Sequence, residues 1–171
     1  MKAFLLNKKG FTLVELMIAI ALLGIVMTLG YSYYYYGTRS FSVGESQATV
    51  QQEVRTASRT ITSEIRNATR VSSSEFDDEA LFYCIKRDGN NRLIIDTIDN
   101  GVTSSRQLTG NIITNSGFEL KQENNKYLLR FTLYGNDSTL TNDYSIVSEI
   151  LLNNVNNGNL GTWNTIYYTK P

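Results

Sequence analysis

The hydrophobic and polar positions divide the chain into three stretches. In the first, an apolar run follows the opening dozen residues, and no charged residue occurs from Leu16 to Thr38. A run of roughly 20 apolar residues can cross a bilayer as one helix. In the second, apolar residues recur every three or four positions, as on one face of an amphipathic helix. These residues are Val50, Val54, Ala57, Ile61, Ile65 and Ala68. We therefore expect one helix over about residues 11–67.

The third stretch, beyond Val71, consists of short strand-like runs separated by polar turns. The polar run Val71-Ser72-Ser73-Ser74 is expected to end the helix. Strands are predicted over residues 81–86, 92–98, 118–122, 126–134, 144–152 and 163–168. Turns at 88–91 and 123–125 would join four of these strands into two hairpins. The predicted fold class is α+β: a long N-terminal helix, half membrane-spanning and half amphipathic, packed on an antiparallel β-sheet head.

One carboxylate, Glu15, stands near the start of the apolar run. A charge inside the hydrocarbon costs about 2.5–3.5 kcal/mol on insertion scales, so Glu15 needs a partner. The alternative is an uncleaved signal anchor that tolerates a glutamate near the interface. An ordinary secretory signal fits less well, because its small residues precede a cut on the far side of the apolar region, whereas Gly10 lies on the basic side.

The residues Lys8-Lys9-Gly10-Phe11-Thr12-Leu13-Val14-Glu15-Leu16 and the apolar run after them resemble the type IV pilin family, which includes type II secretion pseudopilins and competence pseudopili. The resemblance implies that a prepilin peptidase cuts between Gly10 and Phe11 and methylates the new N-terminus, Phe11. It also implies that Glu15 pairs with the terminal amine of a neighbouring subunit. Such a pair would be neutral as a unit where it is desolvated.

The resemblance divides the chain into a leader at 1–10, a transmembrane and filament-core helix at 11–38, an amphipathic helix at 39–70 and a β-rich head at 71–171. The expected function is that of a structural, minor filament subunit. Its expected partners are other pilin subunits, prepilin peptidase, a membrane assembly platform and, before assembly, the lipid bilayer. A looser likeness to minor pilins of the J/W class lies in residues 55–68 and in Leu108-Thr109-Gly110-Asn111-Ile112.

Three systems stay open at this point: a pilus, a type II secretion pseudopilus and a competence system for DNA uptake. A binding module at the filament tip, with DNA or a surface as ligand, is the alternative function. The leader holds Lys2, Lys8 and Lys9 without an acid, so the positive-inside rule places it in the cytoplasm and the head outside. The subunit would lie in the cytoplasmic membrane as a single-pass protein and then in an extracellular filament.

Catalytic, metal and cofactor chemistry find little support. The chain has no histidine, which removes the commonest general base and metal ligand. Removing the leader leaves 13 basic and 16 acidic residues, so bulk charge does not predict a phosphate-binding surface. Asp77, Asp78 and Glu79 are consecutive, unlike the alternating ligands of a calcium loop, and are expected to form a solvated loop. We predict no enzyme activity and no cofactor.

Two features have no assigned chemistry. Cys84 is the only cysteine, so no intrachain disulfide is possible, and it is expected to be a small buried hydrophobe. The tyrosines at 31 and 33–36 are expected to form an aromatic belt where the helix leaves the bilayer. A stacked electron-transfer path is the alternative, but consecutive residues point around the whole helix rather than along one face.

Overall fold

A computed structural model describes residues 10–124, 126–155, 158 and 160–171. Lys8, Lys9 and the rest of the predicted leader before Gly10 lie outside the described residues. The chain divides into two compact units, Met1–Ser42 and Val43–Pro171. Helix α1, Leu13–Ile65, contributes its first part to the first unit and its second part to the other. The helix predicted from the sequence, over residues 11–67, is therefore confirmed with slightly shorter ends.

The second part of α1 buries the stripe predicted from its spacing. All six stripe residues, from Val50 to Ala68, are at most 1% exposed. The spacing of three and four residues places them on one face of the helix, which packs on the head and closes its core. After Ile65 the helix ends in a turn, and Ala68 N–H donates to the carbonyl of Ile65. The helix thus ends a few residues before the serines that were expected to break it.

The head contains two antiparallel sheets, where a single sheet was predicted. The first has the strand order β1-β9-β2-β3-β4 and the second the order β7-β6-β5-β8. The strands are β1 Arg70–Ser72, β2 Leu81–Arg87, β3 Leu93–Asp99, β4 Val102–Gln107, β5 Ile113–Glu123, β6 Lys126–Gly135, β7 Tyr144–Leu152, β8 Gly161–Trp163 and β9 Ile166–Thr169. The hairpins β2–β3 and β5–β6 are those expected from the sequence.

The last predicted strand, at residues 163–168, is in fact two strands that belong to different sheets. β8 pairs with β5 in the second sheet, and after two residues β9 pairs with β1 and β2 in the first. β9 lies inside its sheet, and its Tyr168 is fully buried. The C-terminal segment therefore joins the two sheets, which a strand-by-strand pattern does not reveal.

Two strands, β1 and β4, were not predicted. β1 has three residues, too few to show a period of two. Every residue of β4 is exposed, so β4 has no apolar alternation to detect. The signal that could have revealed β4 is Asn100-Gly101, which joins β3 to β4 with φ values of 49° and 81°. Asn-Gly is the preferred pair for such a two-residue turn.

The core lies between the stripe of α1 and the inner faces of both sheets. Ile85 and Ile95 face each other across β2 and β3, and Phe118 and Phe131 do so across β5 and β6. All of them are at most 3% exposed. The head therefore has a continuous apolar core that includes side chains from the helix. Such a core accounts for the stability of a head of this size that has no disulfide.

Candidate functional site

The first part of α1 buries none of its large apolar side chains. Phe11 is 87% exposed, and the other large hydrophobics as far as Tyr36 are also exposed. By length and composition, α1 is the one described helix able to cross a membrane. Exposing so many contiguous apolar side chains to water is unfavourable, and only lipid or other apolar helices can cover all sides of such a helix. This part of the chain is built for a non-aqueous environment.

The polar side chains inside this segment are satisfied by the helix itself. The hydroxyl of Thr28 donates to the carbonyl of Gly24 at 2.8 Å, and that of Ser32 donates to the carbonyl of Thr28 at 2.9 Å. Thr38 makes the same kind of bond to Tyr34 at 3.1 Å. Because no water is available in hydrocarbon, hydroxyl groups there need such internal acceptors. The hydroxyls are therefore compatible with insertion.

Glu15 and Thr12 cap the start of α1 together. The Glu15 carboxylate accepts hydrogen bonds from the backbone N–H and the hydroxyl of Thr12, both at 3.0 Å. In return, the backbone N–H of Glu15 donates to the Thr12 hydroxyl at 3.3 Å. This is the reciprocal arrangement of a capping box, in which a threonine and a glutamate three residues later satisfy each other's backbone groups.

The role of Thr12 was missed in the sequence analysis, although the pattern Thr12-x-x-Glu15 before an apolar run is itself the signal for a capping box. Within the chain, Glu15 has hydrogen-bond partners in the backbone N–H and hydroxyl of Thr12. The carboxylate still has free acceptor capacity, since an ionised carboxylate offers about four lone-pair sites. The cap holds the carboxylate at the helix start without using up those sites.

The junction between Gly10 and Phe11 is open. Among the residues that the structure describes, and apart from the chain neighbours of Gly10, none has a heavy atom within 4 Å of the place where a Cβ of Gly10 would lie. Both residues are exposed and precede the helix, which begins at Leu13. A peptide bond must leave regular helix to enter a protease cleft, and this one already lies outside it.

The tyrosine cluster does not form a stacked path. All five rings are exposed, and Tyr35 and Tyr36 meet edge to face, with centroids 6.4 Å apart and planes at 78°. Exposed rings in all directions fit a segment that is surrounded by lipid headgroups or by neighbouring helices. This geometry favours the aromatic belt over an electron-transfer path.

The acidic loop of the head, residues 75–79, is held by Arg70. The Arg70 guanidinium donates to Asp78 at 2.8 Å and to Glu79 at 3.1 Å, and it lies over the Phe76 ring, 4.7 Å from its centroid. These bonds hold the pKa of the Asp78 carboxyl below its usual range. Two of the three consecutive acids are thus neutralised by an arginine. Within the described residues, no group of three acidic or cysteine side chains could hold a metal ion.

Cys84 is buried, as expected. Burial raises the pKa of its thiol to about 11. A thiol with such a pKa is almost entirely protonated at neutral pH and is a poor nucleophile. Cys84 is therefore a packing residue of β2.

Comparison with known proteins agrees with the N-terminal geometry and with the fold. Residues 5–31 match the family described as "Prokaryotic N-terminal methylation motif". No curated protein matches the chain. Among solved structures, the D319A mutant of the PilB minor pilin from Streptococcus sanguinis is similar, with a TM-score of 0.55 and 15% sequence identity over 73% of this chain. The similar region spans 35% of that longer chain.

The motif and the fold together define a pilin-like chain, with a methylation-type N-terminus on one long helix and an α+β head. The similarity to pilins thus consists of an N-terminal motif over residues 5–31 and of the fold.

Proposed function

We propose that this chain is a subunit of a type IV pilus or a related filament, and that it assembles through the first part of α1. The observation that carries the proposal is the contrast within that segment: continuous exposed apolar surface from Phe11 to Tyr36, with one carboxylate capped at its start. Before assembly, lipid covers this surface. In the filament, the corresponding helices of other subunits replace the lipid, while the head stays outside.

Processing is the first step of the proposed function. A prepilin peptidase cuts between Gly10 and Phe11 and methylates Phe11, and a membrane platform then extracts the subunit. The open Gly10–Phe11 junction ahead of the helix supports this assignment. Mass analysis of the N-terminus of chains from sheared filaments should find methylated Phe11. Gly10→Leu should leave the uncut precursor in the membrane, and filament-borne chains that still begin at Met1 would contradict the assignment.

Assembly is the second step, and Glu15 acts in it. The capping box holds the carboxylate at the helix start, where it accepts the charged amine of a neighbouring subunit's Phe11. In the filament the two groups are desolvated together, and removing one partner leaves the other unpaired, which typically costs about 3–5 kcal/mol. Glu15→Ala should therefore still be cut and inserted, but its incorporation into filaments should fall.

The matched control is Glu45→Ala, which removes an exposed carboxylate from the same helix, in the part that belongs to the head unit. Immunoblots of membrane and sheared fractions separate the two steps. The proposed role predicts mature Glu15→Ala chains in the membrane with few in filaments, and normal amounts of Glu45→Ala in both fractions. Equal incorporation of wild type and Glu15→Ala would contradict it.

A further inference from the structure

Three arginines form a row: Arg55 and Arg59 on the outward face of the second part of α1, and Arg66 one residue beyond its end, where its N–H still donates to the carbonyl of Thr62. Arg55, Arg59 and Arg66 are all exposed. At 3.6 residues per turn they lie within about 40° of one another around the helix axis, on the side opposite the buried stripe. No acidic residue lies on this face between Gln52 and Arg66, because Glu53 accepts a hydrogen bond from Gly110 N–H and Glu64 contacts the sheets. We call these three residues the arginine row.

Four other arginines of the head have a carboxylate partner that the row lacks, while Arg87 donates to the Asn91 side chain and to the Thr114 carbonyl. Arg70, Arg92, Arg106 and Arg130 each lie within 4 Å of a carboxylate. In the part of the chain that the structure describes, no ion pair includes a member of the row, and only Arg55 has a side-chain partner, the Tyr144 hydroxyl at 3.3 Å. Arginine offers five donors in a rigid fork that suits a carboxylate. The row therefore presents unused donors that suit an acidic partner.

The acidic loop, residues 75–79, presents the complementary charge. Arg70 uses Asp78 and Glu79, while Glu75 and Asp77 remain exposed. The loop is anchored by Phe76, which is buried and meets Phe82 edge to face at 6.0 Å. Because Phe76 and Asp78 anchor the loop on both sides of Asp77, the loop backbone is held in place, and the free carboxylates are carried on an ordered segment. Ordered charges lose less entropy on pairing than flexible ones do.

We propose that the arginine row is a subunit interface that receives the acidic loop of a second copy of this chain. The inference rests on the proposed filament function. The chain without its leader carries three more acids than bases, so like heads repel unless a basic face meets an acidic one. A contact between two different surfaces of identical chains is heterologous, and when it does not close into a ring it produces a helical filament.

A nucleic acid is the other polyanion that such a row could attract. Single strands are held by aromatic side chains on which bases stack, and the helix face from Gln52 to Arg66 has none. Three phosphate contacts alone also give weak binding that falls steeply with salt. The charge of the chain and the composition of this face favour the acidic loop.

Cross-linking in assembled filaments tests the contact directly. Full-length Arg59→Cys and Asp77→Cys chains are co-expressed, filaments are sheared, and a short bismaleimide is added. Since each chain carries one new thiol and Cys84 is buried, a dimer on a denaturing gel requires residues 59 and 77 of different chains to meet. We expect a dimer from the co-expressed pair and none from either variant alone. No dimer from filaments that contain both chains would overturn the proposal.

Charge reversal tests whether the contact is electrostatic. Arg59→Glu and Asp77→Arg should each lower filament incorporation by about fivefold, the upper range for an exposed ion pair, and the double variant should recover it. Lys126→Glu makes the same charge change as Arg59→Glu at an exposed site on β6, and this variant should be incorporated normally. Equal amounts of mature chain in the membrane show that each variant folds and is processed.

The outcomes separate this inference from the function on which it rests. If wild-type chain is absent from sheared filaments, the proposed filament function fails and the interface fails with it. If wild type is present and Arg59→Glu is incorporated equally, only the interface is wrong. If Arg59→Glu is incorporated normally but its filaments no longer bind a DNA duplex that wild-type filaments bind, the row is a nucleic-acid site and the proposal is likewise overturned.

Discussion

The two parts of helix α1 follow opposite rules, although they belong to one continuous helix. In the described part of the first unit, from Gly10 onward, no large apolar side chain is buried, and Ile20, for example, is 62% exposed. In the second unit the apolar residues are confined to one stripe, and Ile61 is 0% exposed. The first part is apolar on every side, whereas the second is apolar on one face and charged on the other. The helical backbone is common to both, so the side-chain pattern alone decides what each part can pack against.

This difference indicates where the stability of each part comes from. The second part belongs to the core of the head and gains from burial of its stripe. The first part buries none of its large apolar side chains and depends on lipid or on neighbouring helices. Matched substitutions in the two parts should therefore have unequal effects on the unfolding of the head, and the predictions below follow in order of expected size.

The largest difference is expected between Ile61→Ala and Ile20→Ala. Ile61→Ala leaves a cavity between α1 and the sheets and should lower the free energy of unfolding of the head by about 2–5 kcal/mol. Ile20→Ala removes the same atoms from an exposed position and should leave the head unchanged. Urea denaturation of the full chain in detergent, followed by the fluorescence of Trp163, the single tryptophan, measures both. Similar losses in the two variants would show that the first part also contributes to the head.

The sequence predicted these two parts of α1 well because both carry strong periodic or continuous signals. A long, mostly apolar run without a charge from Leu16 to Thr38 and six apolar residues at regular spacing are each hard to explain by another structure. The predictions for the Gly10–Phe11 junction and for Glu15 depend on a different kind of signal, a fixed order of residue types. The capping partner Thr12 was overlooked because Glu15 was considered as a charge in lipid and not as part of the helix start.

Two glycines provide the second contrast. A Cβ at Gly135, on the last residue of β6, would lie 2.5 Å from Cγ2 of Val54 and 3.2 Å from Cγ1 of Val50. Gly135→Ala should therefore force α1 and the sheet apart and destabilise the head by about 1–3 kcal/mol. At Gly24 a Cβ meets nothing within 4 Å, and alanine favours a helix by about 1 kcal/mol over glycine.

The same Trp163 unfolding experiment compares Gly135→Ala with Gly24→Ala, and circular dichroism adds the helix content. We expect a lower midpoint for Gly135→Ala alone, with equal or higher helicity for Gly24→Ala. An unchanged midpoint for Gly135→Ala would mean that Val50 and Val54 can move aside, and that the helix is packed less tightly on β6 than its distances indicate.

The division of the head into two sheets could not be read from the sequence, because it depends on pairings between distant residues. Hairpins are local and were found, but nothing near Trp163 and Ile166 shows that consecutive strands enter different sheets. The position of Glu64 also depends on the full fold. Its partners, Arg106 on β4, Tyr168 on β9 and Lys170 after β9, are brought to the helix only by the completed sheet.

The smallest predicted effect concerns Glu64, one of the three carboxylates of α1 that lie in the head unit. Burial opposes ionisation of Glu64, but the hydrogen bonds and charges of Lys170 and Arg106 outweigh it, so its pKa is lowered from 4.5. A carboxyl group whose pKa is lowered by folding stabilises the head at pH values above its pKa in the unfolded chain. This stabilisation is lost as the pH falls through its pKa in the folded chain. We expect Glu64→Gln to lower the free energy of unfolding by about 1 kcal/mol at pH 7.

The difference between wild type and Glu64→Gln should shrink as the pH falls from 6 towards 3, because protonation removes from the wild type the same interactions that the substitution removes. Glu45→Gln is the control, since it alters an exposed carboxylate that forms no ion pair in the described part of the chain. Its unfolding should follow the wild type at every pH. The measurement is the thermal midpoint of the full chain in detergent across this range. A constant difference between wild type and Glu64→Gln would mean that the helix is held to β4 and β9 by packing around Glu64, and not by its charge.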